Sequence, residues 1–492
     1  MAGPTTCEQH VRTSGSSPFE MKYTSTLARL TNIALVAAAA LAAAASSLQA
    51  QLPDIAIDAF HIATARAHTA LHRDAGRLWG SRLDSVPWLG VSGRTILLTR
   101  APAAEATGYA STHGVWEGPL PATITPSNSS VTWAGRRWAM VMLPVYGDSL
   151  GAERLLIHEA MHVLQPSVLP APSYDETGAG AAMLDETGGR TWLRLEWKAL
   201  ATALRSSGAK RDSAVYDAVL FRAARYAIAS PDEITRERAL DVAEGIPEYT
   251  GWKLSNSPRA EFIASVDSAP TKLPSFVRAF EYFTGPAYAM LLDDYTGGRW
   301  RRSLRSRPDL QAMIADAIAS RKFPDESLVR KAVAATSGTG IPPAITKLAQ
   351  TRARIYGGPA IVAEEQVRWT TRERQIAAYR TEFLDSPTVQ LRPHSVNVSF
   401  DPRGQTSLGK SGTVMANLAW KSADGASLTA PSGALINQSW TELRVPLGDV
   451  HLEPGVVTLT TTFTGKGWSL TLVPGWTVRS EGSSMVVTPP AK

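Results

Sequence analysis

Residues 149–166 read SLGAERLLIHEAMHVLQP. Leu155, Leu156, Ile157, Ala160, Met161, Val163 and Leu164 distribute apolar side chains almost all round a helical wheel. The segment is therefore expected to be a buried helix, beginning near Ser149 and ending at Pro166. Within little more than one turn of it stand His158, Glu159 and His162. Such groups are costly in an apolar setting unless something binds them. Histidines at i and i+4 share one helical face, where their ring nitrogens reach a single ion at about 2.0–2.1 Å. The HExxH spacing thus predicts zinc held by His158 and His162. Glu159 would act as general base toward a water whose pKa falls from about 15.7 to about 7 on the metal.

The third ligand must come from elsewhere in the chain. Cys7 is the only cysteine, which excludes a cysteine zinc site and any disulfide within the chain. Of the nine histidines, only His394 and His451 follow His162, and both fall in a β-rich tail. The continuation that adds a glycine and a third histidine is missing, since Gln165 and Val168 occupy those places. A carboxylate is therefore expected, and two glutamates compete. Glu196 falls within the apolar face formed by Trp192, Leu193, Leu200 and Ala203. There it is a ligand, a support for one, or half of a buried ion pair. Glu244 stands in the phrase AEGIPEY, residues 243–249.

That phrase, downstream of HExxH, resembles the gluzincin superfamily of zinc metallopeptidases, the thermolysin-like and aminopeptidase-N-like group. The resemblance covers roughly residues 137–290. It implies that Glu244 is the third zinc ligand and that the reaction is hydrolysis of peptide bonds in a peptide or protein substrate. Glu248 is then a structural or substrate-facing residue. The superfamily also implies an electrophilic helper near the developing oxyanion, for which Tyr282 and Tyr288 are candidates, with Tyr249 beside them. The strand expected at Trp138–Leu143 would border the cleft, where such enzymes bind an extended peptide along a sheet edge. Two departures stand out. Ala243 replaces the usual Asn, and Pro247 replaces a small Ala in a place where proline removes a helix hydrogen bond or kinks the helix.

The fold class expected is α+β: a mainly helical, zincin-like catalytic part with a small sheet, followed by a C-terminal all-β, sandwich-like domain. Residues 51–150 form the N-terminal α/β part of the catalytic unit, 151–386 the helical part and 387–492 the β-rich accessory domain. Helices are expected over 52–80, over Thr187–Ser207 closed by Gly208, and over Asp212–Ile228. Another begins at Ser230, where Pro231 and Glu233 complete a capping box. Strands are expected at Thr95–Thr99 and, in the tail, at Val396–Phe400, Thr413–Trp420, Glu442–Val445, Val456–Phe463 and Trp468–Val473.

Over 492 residues the formal charge is +6, with no basic run, which argues against a nucleic-acid partner. Residues 1–50 read as a leader containing a secretory signal peptide that starts from Met21. Lys22 and Arg29 precede the apolar run Ile33–Ala45, and small residues follow up to Ala50. The run is shorter than the roughly 20 residues of a bilayer span, so no stable membrane insertion is expected after the leader is removed. The protein is therefore expected to be secreted or periplasmic. Other readings are a zinc hydrolase of a non-peptide amide or ester, and a non-catalytic secreted binding protein on a peptidase-like scaffold. The intact Glu159 argues against the latter. The sequence is silent on oligomeric state.

Overall fold

A first helix, α1 (Asp54–Asp74), packs on a six-stranded sheet of β1 (Trp88–Ser92), β2 (Thr95–Leu98), β3 (Ala110–Thr112), β4 (Val115–Pro119), β5 (Ser129–Trp133) and β6 (Arg136–Met142). The structure is a computed structural model. It describes residues 54–491 except 104–105, 146–148, 170–178, 278, 322, 324, 336, 397 and 401–403. The expected leader, residues 1–50, lies outside the described residues.

The strand order is β3-β4-β2-β1-β6-β5, with β1 and β6 parallel and the other pairs antiparallel. The continuous apolar runs of β1 and β6 follow from burial on both faces. On one face Leu89, Val91, Ile96, Leu98, Trp138 and Met140 form a core. On the other, the Trp88 indole donates to the Leu156 carbonyl of helix α2 (Ser149–Val168) at 2.9 Å. Gly90 admits Phe60 of α1 there, since a Cβ at Gly90 would lie 3.0 Å from its ring. The Trp138–Leu143 strand was expected to border a sheet edge. Instead β6 is paired on both sides and β5 is the edge, because the intervening Ser129–Trp133 segment folds back onto β6.

The helical part continues with α3 (Thr187–Arg205), α4 (Gly208–Tyr226), α5 (Pro231–Ala243), α6 (Gly245–Leu254), α7 (Arg259–Lys272) and α8 (Glu281–Thr296). It ends with α9 (Arg301–Leu304), α10 (Leu310–Ile318), α11 (Glu326–Ala334), α12 (Ala344–Ala353) and α13 (Gly358–Arg380). The capping box at Ser230 is present as expected, with Glu233 reaching back to the Ser230 amide. Gly208 does not close α3, whose C-cap is Ser206. Its positive φ of 55° instead turns the chain into α4. No helix among the described residues is long and apolar enough to cross a membrane.

From Thr388 the chain is all β, with strands β7 (Thr388–Leu391) through β19 (Ser484–Thr488) making an eight-stranded and a five-stranded sheet. The sheets share a core in which Leu391, Val445 and Val487 of one meet Trp420, Leu428 and Leu470 of the other. Two segments expected as single strands each divide between the sheets. Thr413–Trp420 breaks at Asn417, which takes a positive φ of 52° between β10 (Thr413–Met415) and β11 (Leu418–Lys421). Val456–Phe463 splits into β15 (Gly455–Val456) and β16 (Thr461–Gly465). A small core of Phe383, Leu408, Val414 and Leu435, with Ile376 and Tyr379 against it, joins the end of α13 to the eight-stranded sheet.

A buried ionic network ties the central helices together. Glu196 of α3 is fully buried and accepts from Arg222 at 2.8 Å, from Arg225 at 2.5 Å and from the Tyr288 hydroxyl of α8 at 2.8 Å. Arg222 also holds Asp241 of α5 at 2.5 Å, and Arg225 pairs with Glu237. Three carboxylates thus share two guanidinium groups. Burial pushes the Asp241 carboxyl up to about 7 despite its contact with Arg222. For Glu196, burial is outweighed by Arg222 and Arg225, which hold its pKa below the ordinary value.

Glu196→Ala should cost about 3–5 kcal/mol in urea unfolding, since it leaves two buried guanidinium groups under-neutralised. A change within about 0.5 kcal/mol would show that the network is not structural. Asp241 carries a raised folded pKa. Its contribution is complete below the unfolded value and is lost as pH rises through about 7. Asp241→Asn should therefore gain stability relative to wild type as pH rises from about 4 to about 7. A pH-independent difference would contradict this assignment.

Candidate metal centre

Helix α2 carries His158, Glu159 and His162 among Leu156, Ile157, Ala160 and Met161, all four of which are fully buried. It crosses α6 closely, because a Cβ at Gly251 would lie 2.8 Å from the Arg154 carbonyl oxygen. Residue 244 is the break between α5 and α6, with φ −109° and ψ −40°. Proline explains the break. The ring of Pro247 clashes with the carbonyl four residues back in a continuous helix, whereas in the first turn its missing N–H costs little. A new helix starting at Gly245 places Pro247 in that first turn. The anticipated kink is thus the device that ends α5 at the candidate ligand.

A second glycine crossing brings α8 to the same point. A Cβ at Gly285 would lie 2.6 Å from the Gly245 Cα, and one at Gly245 would lie 2.7 Å from the Gly285 Cα. Tyr282 thereby reaches Glu244.

The three expected ligands converge. His158 Nε2 and His162 Nε2 are 3.0 Å apart, and Glu244 Oε2 lies 3.5 Å from the first and 3.4 Å from the second. For metal bonds of about 2.0–2.1 Å, the edge of a tetrahedron is about 3.3–3.4 Å. The three donor atoms therefore match three corners of a tetrahedral zinc site. The Glu159 carboxylate also lies within 4.8 Å of both imidazoles. Of the two carboxylates, Glu244 is the better third ligand. It touches both Nε2 atoms, and although burial opposes its charge, hydrogen bonds from the two histidines hold its pKa well below the usual range. Glu159 is different: burial pushes it up to about 7, and its Oε2 has no hydrogen-bond partner.

The outer nitrogens determine the tautomers. His158 Nδ1 is 2.9 Å from Glu248 Oε2, and a carboxylate accepts, so Nδ1 carries the proton. The other Glu248 oxygen accepts from the Trp252 indole at 2.8 Å, and the Arg154 guanidinium stacks on that indole. His162 Nδ1 is 3.2 Å from Gln165 Oε1. The orientation of that amide is set by its Nε2, which donates to the Val242 carbonyl at 3.1 Å. His162 therefore also donates from Nδ1. Both Nε2 atoms then face the same point as the Glu244 carboxylate. Carboxylate support of a ligating histidine fixes ring orientation and raises basicity. With protein groups alone the same field acts on a proton: burial disfavours the His158 imidazolium, but Glu244 and Glu248 outweigh it and raise its pKa well above the ordinary value.

Tyr282 lies in the site. Its hydroxyl donates to Glu244 Oε2 at 3.2 Å, and its ring centroid is 5.9 Å from that of His158. Tyr288 does not, since its hydroxyl is spent on Glu196 in the buried network. Glu196 likewise takes the ion-pair role. Tyr249 donates to Asp293 at 2.7 Å, away from the imidazoles. Of the two supporting residues, Glu248 was expected to be structural or substrate-facing, and the role of Gln165 was not assigned from sequence. Their signal was spacing: Gln165 is three residues past His162 and Glu248 four past Glu244, so each sits near the face of its ligand.

Comparison of the chain with models of known protein families, with curated proteins and with solved structures finds no match.

The glycine crossing yields a test. Gly285→Ala forces α6 and α8 apart, at a cost of about 1–3 kcal/mol, and should weaken zinc binding about tenfold or more by displacing Glu244. Thermal melts and zinc titration measure the two effects. Wild-type zinc affinity in this variant would mean that the crossing does not position the ligand.

Proposed function

We propose that the protein is a secreted zinc metallopeptidase, with His158, His162 and Glu244 as metal ligands and Glu159 as general base. One observation carries the reading: two imidazole Nε2 atoms and a carboxylate oxygen converge within 3.0–3.5 Å of one another. A positive charge resolves three groups so placed: a proton on His158 does so with protein groups alone, and a metal ion does so when both nitrogens are neutral, a donor set of two nitrogens and one anionic oxygen that suits zinc. When bound, zinc lowers the pKa of a water and polarises the carbonyl to be attacked.

The chain's own groups then have separate tasks. Glu159 has a free carboxylate oxygen to take a proton from the attacking water and hand it to the leaving amide nitrogen. Tyr282 has a hydroxyl beside the ligand cluster to donate to the substrate oxygen as charge develops there. Glu248 and Gln165 keep the imidazoles in one tautomer. The edge strand β5 pairs with β6, and Arg137 of β6 donates to the His162 carbonyl at 3.4 Å. Its open side offers backbone groups for an extended peptide.

The experiment is metal analysis combined with cleavage of a mixed peptide library. Wild type should hold about one zinc per chain and cleave peptides. Glu159→Gln should keep zinc and lose about 10²–10⁴-fold in kcat/KM. Glu244→Ala and His158→Ala should lose zinc. Zinc retained in Glu244→Ala would overturn the ligand set. Full zinc in an enzyme that cleaves only non-peptide amides or esters would move the substrate class.

A further inference from the structure

Between α13 and the strand-rich part lies a cavity of about 490 Å³, lined by none of the residues of the metal centre. Small-molecule sites span roughly 300–1,000 Å³. One wall is a single stripe of α13, formed by Trp369, Arg372 and Ile376 at i, i+3 and i+7. The facing wall carries Gln405, Met415, Gln438 and Trp440 from the eight-stranded sheet and its loops. Asp185 and Glu186, just before α3, close a third side.

Trp440 is held there under strain. Its φ is +53°, a conformation uncommon for a bulky side chain and costing about 1–3 kcal/mol. The loop enforcing it is built on Asn437, whose Oδ1 accepts from the amides of Thr441 at 2.8 Å and Glu442 at 3.1 Å. Its Nδ2 donates to Thr441 Oγ1 at 2.9 Å, so the Asn437 amide is spent on holding the loop. The indole packs in part on the sandwich core, and the cavity takes the remainder.

The chemistry of the lining narrows the ligand. Asp185 and Glu186 balance Arg372 and Lys410, so the cavity has no net formal charge. Arg372 is already engaged, donating to Thr406 Oγ1 and to the Gln405 carbonyl, each at 2.8 Å. That disfavours a phosphate or a carboxylate as the occupant. The Gln405 and Gln438 side chains, by contrast, make no hydrogen bond to any described residue. An entirely apolar ligand would cover the half-buried Gln405 amide without a partner and would make no use of the exposed Gln438 amide at the rim. A ligand with apolar C–H faces for the indoles and hydroxyl edges for the amides satisfies both demands.

We propose that this cavity binds a neutral carbohydrate, with Trp369 and Trp440 against the sugar's C–H faces and Gln405 and Gln438 on its hydroxyls. The site is independent of the metal centre, and its test needs no catalytic readout.

Isothermal titration of the full chain with glucose, galactose, mannose, N-acetylglucosamine and their β-1,4-linked disaccharides provides that test. At least one should bind saturably and be weakened about tenfold or more in both Trp369→Ala and Gln438→Ala, with melting temperature unchanged. Gln438 is exposed and makes no contact the fold needs, so its variant decides the matter even if Trp369→Ala is unstable. The proposal is overturned if no sugar binds saturably. It is equally overturned if binding survives Gln438→Ala, or if inorganic phosphate or benzoate binds while the sugars do not.

Discussion

Two imidazole nitrogens 3.0 Å apart, both directed toward one carboxylate oxygen, define the centre of this molecule. Left to themselves such groups repel, and a protein keeps them together only by making their surroundings rigid and by binding a positive charge among them. The surroundings are rigid here. Glu248 and Gln165 hold the far sides of the two rings, and each is itself held, by Trp252 and by the Val242 carbonyl. The donor atoms are thus oriented before any cation arrives, which limits the ordering cost of binding.

The backbone is shaped to the same end. Pro247 forbids one continuous helix, so the chain changes direction at Glu244 and presents it where α5 ends and α6 begins. Gly251 and Gly285 let α6 approach α2 and α8 more closely than any side chain would permit. The buried network of Glu196, Arg222, Arg225, Glu237 and Asp241 then fixes α3, α4 and α5 behind the centre. Glu196 is fully buried within α3 and Glu244 is partly exposed at the break between α5 and α6, and they differ in role because two guanidinium groups reach the first and two imidazoles the second.

The strand-rich part is a second chemical environment on the same chain. Its two sheets close over their own core, and the end of α13 packs on one of them through Phe383, Leu408, Val414 and Leu435. The cavity beside that junction draws on a helix, a sheet and a strained loop, none of which forms a site alone.

Local periodicity carried much of this in the sequence itself. A helix repeats every 3.6 residues, so spacing alone put His158 and His162 on one face, placed Glu196 within an apolar stripe and marked the capping box at Ser230. The α+β order of a helical part followed by strands was legible for the same reason. Strand limits in the tail were not, because Asn417 and the turn before Thr461 send neighbouring residues to opposite sheets, a choice made by long-range pairing. Nor was the partner of each buried polar group legible. Tyr282 and Tyr288 lie six residues apart on one helix, and only packing sends one hydroxyl to Glu244 and the other to Glu196. Sequence dictates what a segment does within a turn or two. Which distant carboxylate meets which nitrogen depends on how helices cross, and that is decided by contacts between residues far apart along the chain.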